Sequence, residues 1–534
     1  MSNMQQNELD FNNVGMPQPR PVLSVIENQK RWQWVNNHDF YKLIPVPYYS
    51  FYNNWVRLWL YWYDGYVPWV HGGSAGLLST SIGTTIVNRS ADSVFGGNLM
   101  FANARKPIER IATGKGKTIG KALDFISNKW CKETNFKSKI KIGIRDAFAG
   151  GFSLLKLNKH NNELWVDELR ADRFYIDKNG KGEINKCVSI LSFFDYITPD
   201  NKQGKKYSLV EERRYEYLDL FETKKIPIVE YKIYDSSVPI QYITTVRDNF
   251  IAWEQLPKSV KESFKSEYSF RLNEPQALNG FEDLGVYLLK GSDNISNVPQ
   301  IGLGESLLAN IMNYLYEFDF YNTCFNTDMY MARGRVLVPK YMQGPTAMQG
   351  QGAENRGLDS FLYTKIESPN PDANKPEPIQ FELRSEQWKQ ARNILLESIA
   401  TNIGISVSTL ASYLNDGSNR TAREVSAEES ATTLFVENNR RRFEYPINEL
   451  LKTVLRFYGY IDDVEIRWSR AGMTNQTVLV DTLTKAVNAG LISRKKAHDQ
   501  YNYDDDEEQN EEDYKLVLDE EQTKNNSLFG GDFE

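Results

Sequence analysis

The sequence predicts an α+β chain of several domains, and three observations carry that reading. The first is length: 534 residues suit several domains when each takes roughly 100–200 residues. The second is composition, since 41% apolar and 13% aromatic residues suffice for real cores and exclude global disorder. The third is a change of hydrophobic period along the chain. Short runs bounded by turn residues, read as strands, are grouped in blocks, and long stretches with helical spacing separate those blocks.

Residues 1–30 are polar and read as an arm, and residues 1–20 hold no apolar run of the secretory-signal kind. Residues 31–70 are crowded with aromatics, including Trp55, Trp59, Tyr61, Trp62 and Tyr63. Such density serves base stacking or a helix packed in a core or subunit interface. The few cations in the segment favour packing. The apolar run 55–63 contains Arg57 and is far short of the about 20 residues that span a membrane. Residues 72–97 read as strand or loop beside a helix. Ile119, Leu123, Phe125, Ile126 and Trp130 have helical spacing over 117–137. Residues 139–158 read as a helix that turns into a strand at Gly150-Gly151.

Strands follow at 165–169, 174–177, 187–196, 207–217, 228–234 and 241–246, with turn clusters such as 198–204 between them. That pattern predicts an antiparallel meander. Residues 254–268 read as a polar helix. A long helix is expected over 303–331, with Leu307, Leu308, Ile311, Leu315 and Phe318 on one side. Strands return at 336–338, 361–366 and 379–383, around a Gly/Gln-rich loop (344–357) and a Pro-rich loop (369–378). A helix over 384–403, a polar loop over 404–420 and a second long helix over 421–458 come next. Pro446 predicts a kink or break in that last helix. A shorter helical region spans 476–500, and an acidic tail follows. No internal repeat occurs.

Charge is unevenly placed. The whole chain carries −7, and residues 501–534, with thirteen acids and two lysines, account for −11. The preceding 500 residues therefore carry +4, the difference of those two values. This lacks the basic field of a tight nucleic-acid binder. The tail, with eight acids among residues 504–513, reads as a solvated, mobile appendage.

Chemistry-bearing patterns are scarce. Cys131, Cys187 and Cys324 lie far apart, form no CxxC and are odd in number, which fits a reducing compartment. His38, His71, His160 and His498 have no histidine partner one helical turn away, so a His-based metal site is not expected. The stretch Gly114-Lys115-Gly116-Lys117-Thr118 approaches a phosphate-binding loop, but Ile111 stands where the pattern needs its first glycine. It reads as a basic surface loop. The acidic run from Asp504 lacks the glycine and the spacing of a calcium loop. No catalytic residue, metal site or cofactor is expected.

Several stretches resemble the portal proteins of tailed bacteriophages, especially those of long-tailed phages of Gram-positive hosts. Ala149-Gly150-Gly151-Phe152, Trp165-Val166, the run Ala171 to Ile176, Leu209 to Tyr215 and Ile226 to Tyr231 resemble the portal wing. Gly302-Leu303-Gly304-Glu305-Ser306, Phe318-Asp319 and Arg333 to Val338 are similar to a first stem helix entering the clip. Thr421-Ala422-Arg423-Glu424-Val425 resembles the opening of the family's long wing helix, with Arg423 in place of a second threonine. Ala489 to Arg494 resembles a crown segment. Their colinear order over residues 80–510 carries the resemblance; residues 1–70 and 515–534 have no counterpart.

The resemblance implies a domain plan: an arm and aromatic segment (1–70), wing (71–300), first stem helix (301–331), clip (332–383) and second stem helix (384–403). A tunnel loop (404–420), long wing helix (421–459), crown (460–503) and acidic tail (504–534) complete it. It implies a non-enzymatic ring of about twelve copies of the chain at one capsid vertex of the virion, assembled in the host cytoplasm. The implied partners are the major capsid protein, a separate terminase ATPase, head–tail connector proteins and double-stranded DNA in transit, with no membrane. Arg333, Arg335, Gln349 and Gln351 would serve the clip's docking to motor and connector. Asn415, Asp416, Gly417, Ser418, Asn419 and Arg420 would face the DNA. A duplex carries one charge per ~1.7 Å, and this loop offers one base and one acid among uncharged polar residues, which suits sliding contact without base readout. Arg420 is the expected phosphate partner, unless it braces Glu424 one turn on. The alternative function is a head–tail adaptor or another capsid-associated structural protein.

Overall fold

The computed structural model describes residues 55–65, 79–96, 99–103, 121–160, 162–179, 182–196, 205–217, 225–235, 258, 274–292, 303–332, 335–339, 363–366, 377–379, 382–413, 422–460, 463–468, 476–491, 493–501 and 514–519. The chain is α+β and divides into two compact units. The larger takes in Val22–Asp64, Gly83–Ala309 and Gly404–Glu534; the smaller takes in Gly65–Ile82 and Asn310–Ile403.

The larger unit is built around helix α3 (Phe136–Gly150). Its Phe136, Ile140, Ile144 and Phe148 recur every fourth residue and are fully buried, the stripe of a helix lying on a sheet. That sheet is antiparallel, in the order β3–β2–β9 (β2 Phe152–His160, β3 Glu163–Arg170, β9 Val286–Lys290). Helix α1 (Arg57–Asp64) buries Trp59, Leu60 and Trp62 and packs on α3. Those aromatics are therefore core residues, the packing reading of the aromatic segment. Helix α2 (Ile82–Phe95) takes up most of the stretch 72–97, read as strand or loop beside a helix. Ahead of α3 the expected helix is present over 121–134, with a π-helical turn at Phe125–Trp130 that seats Trp130 so its Nε1 donates to the Leu164 carbonyl at 3.0 Å.

Four strands of the predicted meander, β4 (Phe174–Lys178), β5 (Ile184–Tyr196), β6 (Lys205–Tyr217) and β7 (Lys225–Asp235), form with the short β8 (Gln276–Ala277) a five-stranded antiparallel sheet in sequence order, whereas the strand expected at 165–169 is β3 and pairs with β2 in the other sheet. The strand expected at 241–246 and most of the polar helix at 254–268 lie outside the described residues. Helix α7 (Ala422–Phe457) runs unbroken through Pro446. The expected break does not occur; Phe443, Ile447, Leu450, Leu451 and Val454 are fully buried on either side of the proline, and this packing outweighs one lost backbone hydrogen bond. An antiparallel ladder that the sequence did not suggest joins β1 (Leu99–Asn103) to β13 (Val464–Trp468). Helices α8 (Gln476–Asn488) and α9 (Arg494–Tyr501) follow, and residues 514–519 are helical. Residues 504–513, expected to be mobile, lie outside the described residues.

The smaller unit is a helical hairpin with a small sheet at its turn. Helix α4 (Met312–Met331) leads into β10 (Arg335–Pro339), and helix α5 (Ser385–Ile403) returns. Strand β10 pairs in parallel with β11 (Tyr363–Ile366) and antiparallel with β12 (Glu377–Ile379). A small block of three strands was expected here, with its last strand placed slightly later in the chain, at 379–383. Helix α4 starts well after the expected residue 303. Residues 303–306 are irregular and 307–311 form turns, because Leu307 N and Ser306 Oγ bond carbonyls of α3 instead.

Candidate functional site

No described residues form a catalytic constellation, and among them no group of three or more His, Cys, Asp or Glu could hold a metal. Burial pushes the thiols of Cys131 and Cys187 up to about 12, which leaves them protonated and inert at neutral pH. The contacts of interest lie in the chain ahead of α4, within the α4–α5 hairpin and after α5.

Three backbone segments cross just before α4. Gly151, at φ +90°, turns the chain from α3 into β2, a conformation that favours glycine. Gly291 N donates to Gly151 O at 2.7 Å, Glu305 N to Ser292 O at 3.1 Å, and Leu307 N to Phe148 O at 2.9 Å. The hydroxyl of Ser306 is shared between the carbonyls of Phe148 and Ala149, at 2.9 and 2.7 Å. These contacts occupy carbonyls at the end of α3 that a helix leaves without partners. A Cβ on Gly304 would stand 2.2 Å from Gly151 O, and one on Gly291 2.3 Å from Ala147 O, so the crossing admits only glycine at both. Arg442 of α7 completes the junction, with Nη1 donating to Gly291 O at 2.6 Å. Glu305 sits in this junction only 5% exposed, and its Oε2 has no hydrogen-bond partner among the described residues. Burial raises its pKa.

Within the smaller unit, the hairpin is clamped near its turn. Tyr321, Phe325 and Trp388 form an aromatic cluster with centroids 5.4–6.3 Å apart. Tyr321 Oη donates to Trp388 O at 2.8 Å, and Trp388 Nε1 donates to Asp328 Oδ2 at 2.7 Å. Arg384 Nη2 donates to Asp328 Oδ1 at 2.8 Å. Hydrogen bonds from Arg384 and Trp388 hold the Asp328 carboxyl below its usual range. Asp319 receives both N and Oγ1 of Thr80, at 2.9 and 2.7 Å. Helix α4 carries no lysine or arginine. Asn322, Thr323, Asn326 and Thr327 each donate to a carbonyl one turn back, at 2.8–2.9 Å. The helix thus carries a polar, uncharged stripe.

After α5, residues 407–413 form a short helix, α6 (Val407–Tyr413), where a loop was expected. Ser406 explains it: its Oγ accepts from Thr409 N at 3.1 Å, an N-cap contact. Ser406 Oγ and Thr409 Oγ1 are 2.6 Å apart, Thr409 Oγ1 and Thr432 Oγ1 3.0 Å, and Ser406 N donates to Thr432 Oγ1 at 3.0 Å. These hydroxyls fasten α6 to α7.

The two sheets of the larger unit are bolted by a buried ion cluster. Lys156 of β2 and Arg213 of β6 contact Glu211 at 3.3 and 2.7 Å, and all three are at most 3% exposed. Burial alone would raise Glu211; the charges of Arg213 and Lys156 outweigh it and hold the carboxyl low. Arg213 also donates to Leu157 O, Leu284 O and Asn158 Oδ1 at 2.8–3.0 Å. This cluster is saturated and structural.

Of the residues expected at the clip, Arg335 opens β10, paired with Ile379. Arg333, Gln349 and Gln351 lie outside the described residues, as do Asn415, Asp416, Gly417, Ser418, Asn419 and Arg420. The glycine crossing, the Asp328 clamp and the Ser406 clasp were not anticipated. Only the Gly302-Leu303-Gly304 spacing and the Ser406-to-Thr409 cap pattern signalled any of them. Among the described residues no helix is long and apolar enough to cross a membrane.

Comparison with known families gives a match over residues 78–526 to the family described as Phage portal protein, SPP1 Gp6-like. No curated protein matches the chain.

Proposed function

The chain belongs to the SPP1 Gp6-like family of phage portal proteins, a structural component of the virion, and from that premise we propose that it forms the ring through which the genome enters and leaves the capsid. The ring consists of about a dozen copies around a closed axis. A separate terminase ATPase drives packaging, in keeping with the incomplete phosphate loop at Ile111. The observation that carries this reading is a helix, a small mixed sheet and a returning helix, α4 to α5, inside a chain whose family match covers residues 78–526.

In this reading α4 and α5 are the stem, β10–β12 the clip, the antiparallel sheets the wing and α7 the long wing helix. The clip, with Arg333, Arg335, Gln349 and Gln351, docks the motor during packaging and the connector proteins afterwards. The major capsid protein surrounds the wing, and assembly takes place in the host cytoplasm. A duplex passing the stem meets few fixed cations, since α4 has none, and a moving polyanion is not stalled. Residues 415–420 contact phosphates without reading bases. The experiment deletes residues 415–419, complements a portal-defective phage with the variant and measures DNA per capsid. Rings are expected to assemble normally while packaging or retention falls. Full-length, stably held genomes would remove this loop from the mechanism.

A further inference from the structure

Residues 303–311 carry two incompatible instructions. Their spacing, with Leu307, Leu308, Ile311, Leu315 and Phe318 on one side, is that of a helix running from 303. The structure instead commits their donors to the backbone crossing, Glu305 N to Ser292 O at 3.1 Å and Leu307 N to Phe148 O at 2.9 Å, and α4 starts only at Met312. Conflict between local preference and the adopted fold is expected at strained or functional places. The helical alternative is already partly built. Ser306 Oγ accepts from Leu308 N at 3.1 Å, the contact an N-cap side chain makes two residues on. Ala309 N donates to Ser306 O at 3.1 Å, a turn one residue tighter than that of an α-helix. Residues 307–311 are in turns. Bonds from Asn310 N to Ser306 O and from Ile311 N to Leu307 O would join them to α4.

Glu305 distinguishes the two arrangements. In the crossing it is 5% exposed, with Oε2 unpartnered among the described residues, and burial raises its pKa. In a helix capped by Ser306 it stands just ahead of the N-terminus, where a carboxylate is stabilised. Charged groups on the surrounding elements are engaged elsewhere: Asp64 of α1 with Arg170 at 3.1 Å, and Asp146 of α3 with Arg145 at 2.8 Å. Arg442 of α7 holds Gly291 O at 2.6 Å and Asn439 Oδ1 at 2.8 Å. Lys290, which ends β9, acts on Lys178, and no described charge shifts Glu305. We propose that residues 303–311 switch between the observed crossing and an α4 lengthened back to a Ser306 cap, and that ionisation of Glu305 favours the lengthened helix. A carboxyl neutral in the crossing and ionised in the helix stabilises the crossing at low pH, and that stability is lost as pH rises through its raised pKa. Two discrete arrangements of one segment are the usual basis of a conformational switch.

Hydrogen exchange, read residue by residue by mass spectrometry on the full-length protein and corrected for intrinsic rates, tests the switch between about pH 5 and about pH 8. Exchange of the Glu305 and Leu307 amides is expected to rise by up to about tenfold per pH unit and to level off once the carboxyl is ionised. In Glu305→Gln it should stay slow and flat. A Cβ at Gly304 would stand 2.2 Å from Gly151 O, so Gly304→Ala breaks the crossing. In that variant the amides of Glu305 and Leu307 should lose protection while those of Asn310 and Ile311 gain about tenfold, with α3 protected as in wild type. The same pH dependence in wild type and Glu305→Gln overturns the role of the carboxyl. Loss at Glu305 and Leu307 without gain at Asn310 and Ile311 overturns the lengthened helix.

Discussion

Glu305 lies where three backbone segments cross, with its carboxyl buried and, among the described residues, no cation that shifts it. Unfolded, it titrates near ~4.3; folded, burial makes it hold its proton to higher pH. Between those two values the folded state binds more protons, so stability falls as pH rises and is regained on acidification. Replacing the carboxyl by an amide removes that loss. Glu305→Gln is expected to stabilise the protein at pH 7 by up to about 1 kcal/mol after allowance for solvent screening. The gain should vanish below about pH 4. Melting curves of both proteins at the two pH values check it, and a variant no more stable at pH 7 would mean the carboxyl is charged and well solvated there. The sequence offered Gly302-Leu303-Gly304-Glu305-Ser306 only as part of a resemblance. Its burial arises from contacts with residues near 150 and 291, which no local pattern reveals.

Elements were legible where they depend on their own residues and illegible where distant segments decide them. The meander, the helix-to-strand change at Gly150-Gly151 and the long helix α7 follow from periodicity and turn chemistry. The start of α4 does not, because Ser306 and Leu307 give their donors to α3. The ladder of β1 with β13 joins opposite ends of the larger unit. Helix α6 was readable in principle from Ser406 ahead of Val407, but the polar composition around it suggested only a loop. Ser406 both caps α6 and meets Thr432 of α7. Ser406→Ala is therefore expected to cost about 1 kcal/mol, with faster hydrogen exchange across α6 and none across α3. Unchanged exchange in α6 would show that packing alone holds it.

At the scale of the whole molecule, the α+β class and the order of blocks were readable, and the division into two units was not. The smaller unit combines residues from Gly65–Ile82 with Asn310–Ile403, and a bond such as Thr80 to Asp319 has no local signature. The candidate docking and DNA-facing residues were chosen by composition and resemblance; among them the structure describes only the backbone of Arg335. The family and its virion role are established by the match over residues 78–526, and the ring is the central claim built on it. Electron cryomicroscopy of the purified full-length protein tests that claim most directly. The account predicts a closed, channelled ring of about a dozen subunits, with the α4–α5 hairpins gathered around the channel. Isolated monomers, or an assembly without a central channel, would contradict it.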